Sequence, residues 1–116
     1  NLVVNAIEHA DGTPVTITLA TTETDVACRV RDRGVGMTQE VADHVFDRFY
    51  RADTARARTT GGTGLGLAIA TEDVAIHGGR LQAYGEPGRG ASFLMTLPKR
   101  AGEDIVSRPL ALWEDE

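Results

Sequence analysis

The sequence predicts an α+β fold in which an antiparallel or mixed sheet carries helices on one face. Two observations predict it. Strand-like segments come in consecutive pairs, and stretches with a helical apolar period flank those pairs instead of alternating with single strands. The order is helix, two strands, short helix, long loop, helix, two strands. That order disfavours a doubly wound βαβ sheet.

Each element has its own signal. Over residues 1–10, Leu2, Val3, Ala6, Ile7 and Ala10 share one helical face, while Asn1, Asn5, Glu8 and His9 share the other, and Asp11-Gly12 ends the pattern. Val15, Ile17 and Leu19 alternate with threonines, as a half-buried strand does. Val26, Cys28 and Val30 alternate with Ala27, Arg29 and Arg31 in a second strand. Thr38 can cap a short helix reaching about Phe46. Residues 50–62 lack an apolar period and read as a long loop, a length that is usually functional or disordered. A helix follows from Leu65 to Ile76, with Leu65, Ile69, Ala70 and Val74 as its apolar stripe, closed by His77-Gly78-Gly79. Leu81, Ala83 and Gly85 mark a third strand, and Ala91 to Leu97 a fourth, stopped by Pro98. From Lys99 onward the expectation is a polar tail of low order, so the domain is placed at residues 1–98 and the tail at 99–116.

Composition narrows the function. The 116 residues suit one domain, and 41% hydrophobic with 25% charged residues is ordinary for a globular chain. No run approaches the roughly 18 apolar residues of a membrane span. The chain opens at Asn1 within a helical pattern and without an initiator Met, so it reads as a piece of a longer protein. A single cysteine, Cys28, excludes an internal disulfide and any zinc spacing, and reads as a small core residue. A net charge of −5 argues against a nucleic-acid partner. Arginine supplies eleven of the twelve basic residues, and Arg48, Arg51, Arg56 and Arg58 cluster, which suits phosphate.

Four clusters carry chemistry. Asn1 and Asn5, four apart on the polar face of the first helix, offer amide oxygens of the kind Mg²⁺ takes, although a solvated helix face would look the same. Asp32-Arg33-Gly34-Val35-Gly36 ends the second strand. By the period of two, Asp32 continues the inward line of Val26, Cys28 and Val30, so its carboxylate is expected at a buried rim and in need of a donor. The exocyclic amine of adenine is one such donor; a capped turn is the plainer alternative. Gly61-Gly62-Thr63-Gly64-Leu65-Gly66-Leu67 precedes a helix, where bared N–H groups favour phosphate. It lacks the Gly-Lys-Ser/Thr ending of a P-loop and the spacing of the dinucleotide fingerprint. Phe46-Asp47-Arg48-Phe49-Tyr50-Arg51 holds three of the five Phe and Tyr residues, so Phe46 and Phe49 can anchor the loop while Arg51 reaches towards a phosphate.

In this order the four clusters resemble the kinase domain of bacterial sensor histidine kinases, within the gyrase, heat-shock-90, histidine kinase and mismatch-repair ATP-binding superfamily. Asn1-Leu-Val-Val-Asn5-Ala6 looks like the N box, Asp32-x-Gly34-x-Gly36 the first glycine box, Phe46 to Arg51 the F box, and Gly62-Thr-Gly-Leu-Gly-Leu67 the second glycine box. Gly88-Arg-Gly90-Ala-Ser-Phe93 resembles the closing glycine segment. The resemblance implies a two-layer, Bergerat-type α/β sandwich: about five strands, mixed and mostly antiparallel, under about three helices. It implies ATP and Mg²⁺, with Asn5 on the metal, Asn1 near the phosphates and Asp32 on the adenine amine. Gly34 and Gly36 would lie beside the nucleotide with His9 and Tyr50, and Arg51 near the γ-phosphate. Gly62, Thr63, Gly64, Leu65, Gly66 and Leu67 would line the phosphates, under a lid of residues 51–61.

Superfamily hydrolases carry a Glu four residues before the Mg²⁺-binding Asn, as general base. Asn1 stands there instead and cannot take a proton. The resemblance therefore implies γ-phosphoryl transfer to a histidine over hydrolysis or serine kinase activity, and the intact boxes argue against a degenerate module that binds nucleotide without transfer. His9, His44 and His77 lack the acidic residue that follows a family acceptor, so the acceptor is expected on an upstream dimerisation domain. A response regulator is the implied next partner. The isolated domain would be monomeric and cytoplasmic, within a parent anchored in the bacterial inner membrane. Glu8 departs from the Lys or Arg common at its position, and His9 from the usual aromatic ring.

Overall fold

The computed structural model describes residues 12–47 and 66–113. Within them the chain forms β1 (Val15–Thr21), β2 (Asp25–Asp32), α1 (Gln39–His44), α2 (Gly66–Ile76), β3 (Arg80–Glu86) and β4 (Gly90–Pro98). The four strands make one sheet in the order β1-β2-β4-β3, and each neighbouring pair is antiparallel. The α+β class read from the sequence therefore holds, and all four strands found in the sequence are present. The helix expected at residues 1–10 and the 50–62 loop lie outside the described residues.

The register fixes what each face presents. Ile17 pairs with Val30 and Leu19 with Cys28 across β1 and β2. Val30 pairs with Phe93, and Phe93 in turn with Ala83. These side chains share one face, and α1 and α2 lie against β3. Val30 and Phe93 are fully buried, joined in the core by Ala42 of α1 and by Ala68 and Val74 of α2. Cys28 is half-buried, and burial pushes its thiol pKa up.

Both helices differ in detail from the sequence reading. Thr38 caps α1 as expected, its Oγ1 accepting from Val41 N at 3.3 Å. The helix stops at His44 because the chain turns there, with Asp47 N donating to His44 O at 2.9 Å. That turn carries Phe46 edge-on to Phe93, ring centroids 6.1 Å apart. In α2 the buried positions are Ala68 and Val74, while Ile69 is 45% exposed. The stripe is rotated from the one expected. Thr71 returns its hydroxyl to Leu67 O at 2.9 Å and so sits half-buried without a stranded polar group.

The largest correction concerns the tail. Residues 103–113 are not a loose appendage; they form a strap across the other face of the sheet. Asp25 anchors one end. Its Oδ2 accepts from Thr24 Oγ1 at 2.8 Å, from Val106 N at 3.2 Å, and from Ser107 N and Oγ at 2.8 and 2.5 Å. Midway, Arg29 Nη1 donates to Ala111 O at 2.8 Å and Ser92 Oγ to Leu112 O at 2.5 Å. The strap explains why Ala27, Arg29, Arg31, Ser92, Leu94 and Thr96, on the face away from the helices, are all buried. No helix among the described residues is long and apolar enough to cross a membrane.

The donors on Asp25, led by the Ser107 hydroxyl, hold its carboxyl below the usual value of 3.8. A depressed folded-state pKa contributes stability above the unfolded value, lost as pH falls through the folded value. Trp113 is the chain's single tryptophan and sits at the far end of the strap. Its fluorescence is therefore expected to be constant above pH 4 and to change on further acidification. Asp25→Asn, which removes the charge-assisted bonds, flattens that acid transition.

Candidate functional site

Asp32 is the last residue of β2 and is 1% exposed. The strand phase sends its carboxylate to the helix face, as read from the sequence. Oδ1 accepts from Gly34 N at 3.0 Å and from Ala91 N at 3.2 Å. Oδ2 is buried and has no hydrogen-bond partner among the described residues. A buried carboxylate oxygen without a donor is costly, so this atom suits a ligand that brings an N–H of its own. Among the described residues, Asp25 Oδ1 is the other buried side-chain oxygen in this condition. It lies at the opposite end of β2, under the strap.

The glycine motif beside Asp32 is built against the β3–β4 turn. Gly36 has φ of +77°, and a Cβ there would run into the backbone carbonyl of Glu86. Gly88 N donates to Val35 O at 2.9 Å. A Cβ on Gly90 would meet Asp32 O. Residues 32–36 and 86–91, about 55 positions apart by number, thus share one tight backbone junction. The first glycine box and the closing glycine segment are parts of a single structure.

Of the other residues singled out in the sequence, Gly66 opens α2 and Leu67 is half-buried in its first turn. Asn1, Asn5, His9, Tyr50, Arg51, Gly62, Thr63, Gly64 and Leu65 lie outside the described residues. Among the described residues no group of three or more His, Cys, Asp or Glu side chains is placed to hold a metal ion. Sequence reasoning missed Ala91, whose amide holds Asp32, and Arg31, whose Nη1 donates to Asp32 O at 2.5 Å and to Arg89 O at 3.0 Å. The Gly88–Phe93 segment pointed to the first of these. Nothing in the alternation of β2 distinguished Arg31 from an outward-facing surface arginine.

This junction, with its carboxylate, sits within a sheet that matches known proteins. Residues 1–101 match the family described as histidine kinase-, DNA gyrase B-, and HSP90-like ATPase, and the chain belongs to that family. Within it, the chain is similar to sensor histidine kinases. The chain is 51% identical over 112 residues to the sensor histidine kinase MtrB of Mycobacterium tuberculosis, covering 97% of this chain and 20% of that protein. It is 46% identical over 99 residues to the signal transduction histidine-protein kinase AfsQ2 of Streptomyces coelicolor, covering 85% and 18%. Among solved structures it resembles full-length ShkA in complex with AMPPNP, with a TM-score of 0.72, 28% identity and coverage of 94% of this chain and 21% of that one. It also resembles the mycobacterial sensor histidine kinase MprB, with a TM-score of 0.65 and 28% identity over 84% of this chain and 64% of that one. The chain thus spans about a fifth of the length of the curated relatives it matches.

The junction makes a differential prediction. Gly36→Ala adds a backbone clash to the strain of positive φ and is expected to cost more than about 2 kcal/mol in a denaturant titration. Gly102→Ala, at φ +83° with nothing within 4 Å, bears the conformational cost alone, about 1 kcal/mol. Equal losses would mean that close approach is not what Gly36 serves.

Proposed function

We propose that this chain is the ATP-binding catalytic domain of a sensor histidine kinase, and that it delivers the γ-phosphoryl group of ATP to a histidine on a separate dimerisation domain of its parent. The observation that carries the reading is Asp32: a buried carboxylate with one oxygen committed to two backbone amides and the other without a donor. The 6-amino group of adenine supplies that donor. The family membership and the AMPPNP bound to the ShkA relative support the same reading.

The remaining roles come from the sequence motifs. The side-chain oxygen of Asn5 is a hard donor of the kind Mg²⁺ takes, and the ion when bound neutralises phosphate charge. Asn1 approaches the phosphates and, having no carboxylate, activates no water. Arg51 meets the charge that develops on the γ-phosphoryl oxygens, with Tyr50 and His9 beside the nucleotide. Gly62 to Leu67 present N–H groups to the phosphates at the start of α2. In the transfer, an acceptor imidazole nitrogen attacks the γ-phosphorus in line as the bond to the β–γ bridging oxygen breaks. ADP leaves with that oxygen, and the acceptor segment supplies the base that takes the imidazole proton. A response regulator then takes the phosphoryl group onto an Asp. The domain works in the cytoplasm, monomeric when isolated, with its parent anchored in the inner membrane.

The test is ATP-dependent labelling of a separate acceptor domain by the full chain. Acid-labile label is expected with Mg²⁺ and none without it. Asn5→Ala should lower the rate at least about 100-fold, the scale on which removal of a transition-state charge partner acts. Unchanged transfer by that variant removes Asn5 from the metal. Steady phosphate release with no acceptor present favours a hydrolase instead.

A further inference from the structure

The family match ends at residue 101, yet the strap beyond it reaches the underside of the nucleotide junction. Arg31 is 8% exposed and lies on the strap face of β2. Its Nη1 donates to two carbonyls, Asp32 O at 2.5 Å and Arg89 O at 3.0 Å. One guanidinium therefore ties the end of β2 to the turn that leads into β4. Those two backbones present the Asp32 carboxylate and the Ala91 amide that fixes it, at 3.2 Å, on the other face.

An arginine side chain is long, and its plane stays in place only if something holds it. Here the two carbonyls hold Nη1, and Trp113 packs against the guanidinium. The Arg31 guanidinium carbon lies 3.8 Å from the centroid of the indole ring, well inside cation–π range. Tyr84 packs edge-on against the same ring, centroids 5.1 Å apart at 68°, and the Arg89 guanidinium approaches it at 5.9 Å. The strap backbone next to Trp113 is fastened by Ser92 to Leu112 O and by Arg29 to Ala111 O. The indole is thus fixed in its turn.

We propose that Trp113 is a positioning residue for nucleotide recognition: by stacking on Arg31 it holds the Asp32–Ala91 junction in the geometry that leaves Asp32 Oδ2 open to the adenine amine. This rests on the assignment of Asp32 to adenine. Trp113 stands across the sheet from the carboxylate and touches no nucleotide. Its effect should therefore appear as a loss of base discrimination, with phosphate binding unaffected.

The test compares, by calorimetry on the full chain, affinities for ATP and for inosine triphosphate, which carries a carbonyl oxygen where adenine has its amino group. Trp113→Ala is expected to weaken ATP roughly five- to tenfold and to leave inosine triphosphate within about twofold, as loss of one desolvated cation–π contact acting on one hydrogen bond would. Trp113→Phe, which keeps a ring over Arg31, should restore most of the ATP affinity. Circular dichroism and thermal melting establish that each variant is folded. Unchanged ATP affinity in Trp113→Ala, or equal losses for both nucleotides, overturns the proposal. Asp32→Asn separates the two levels. If that variant binds ATP as tightly as the parent, the adenine assignment itself fails. If it weakens ATP while Trp113→Ala does not, only the role of Trp113 fails.

Discussion

A carboxylate at the end of a buried strand is tolerated only where donors reach it, and among the described residues donors reach one oxygen of Asp32 alone. Gly34 and Ala91 offer backbone amides to Oδ1 from two segments far apart in sequence. The geometry around that oxygen dictates much else. β2 ends there, Gly36 follows at a positive φ, and the β3–β4 turn comes close enough to exclude a side chain at Gly36 and at Gly90. The order β1-β2-β4-β3 makes this possible, because it sets β4 directly beside β2.

The opposite face obeys a different constraint. A four-stranded sheet with helices on one side leaves the other side to water, and Arg29, Arg31, Ser92 and Thr96 are residue types that tolerate water. In this protein the strap buries them and must then satisfy them. Its own backbone meets part of that need: the carbonyls of Ala111 and Leu112 accept from Arg29 and Ser92, and the amides of Val106 and Ser107 also donate to Asp25. Backbone groups that a free tail would expose to solvent become the partners of buried side chains. The two faces then meet through Arg31, which belongs to the strap side yet bonds the carbonyl of Asp32.

Much of this was legible in the chain itself. The period of two placed Asp32 on the core side with Val30, and the Thr38 cap and the glycine ending of α2 lay where their chemistry put them. The strand pairs gave the class of fold. Ile69 was misplaced because α2 carries apolar residues on several sides, so periodicity alone could not choose its buried face. The strap was misread for a related reason. Residues 99–108 are mostly polar, and a segment that docks through backbone hydrogen bonds leaves no apolar period. Leu110, Leu112 and Trp113 were the available signal, since a tryptophan in a disordered tail is unusual. The partners of Asp32 and Asp25 were beyond reach, because which amide meets which carboxylate depends on long-range register.

In the proposed mode of nucleotide binding, Asp32 Oδ2 receives the adenine amine while Oδ1 stays tied to Gly34 and Ala91. The most direct measurement is a nuclear magnetic resonance titration of the full chain with ¹⁵N-labelled glycine and alanine. Saturable shifts of the Gly34 and Ala91 amides are expected on adding ATP, with smaller shifts for inosine triphosphate at the same occupancy. Saturating ATP that leaves both amides unmoved, or inosine triphosphate that moves them equally, would contradict the account.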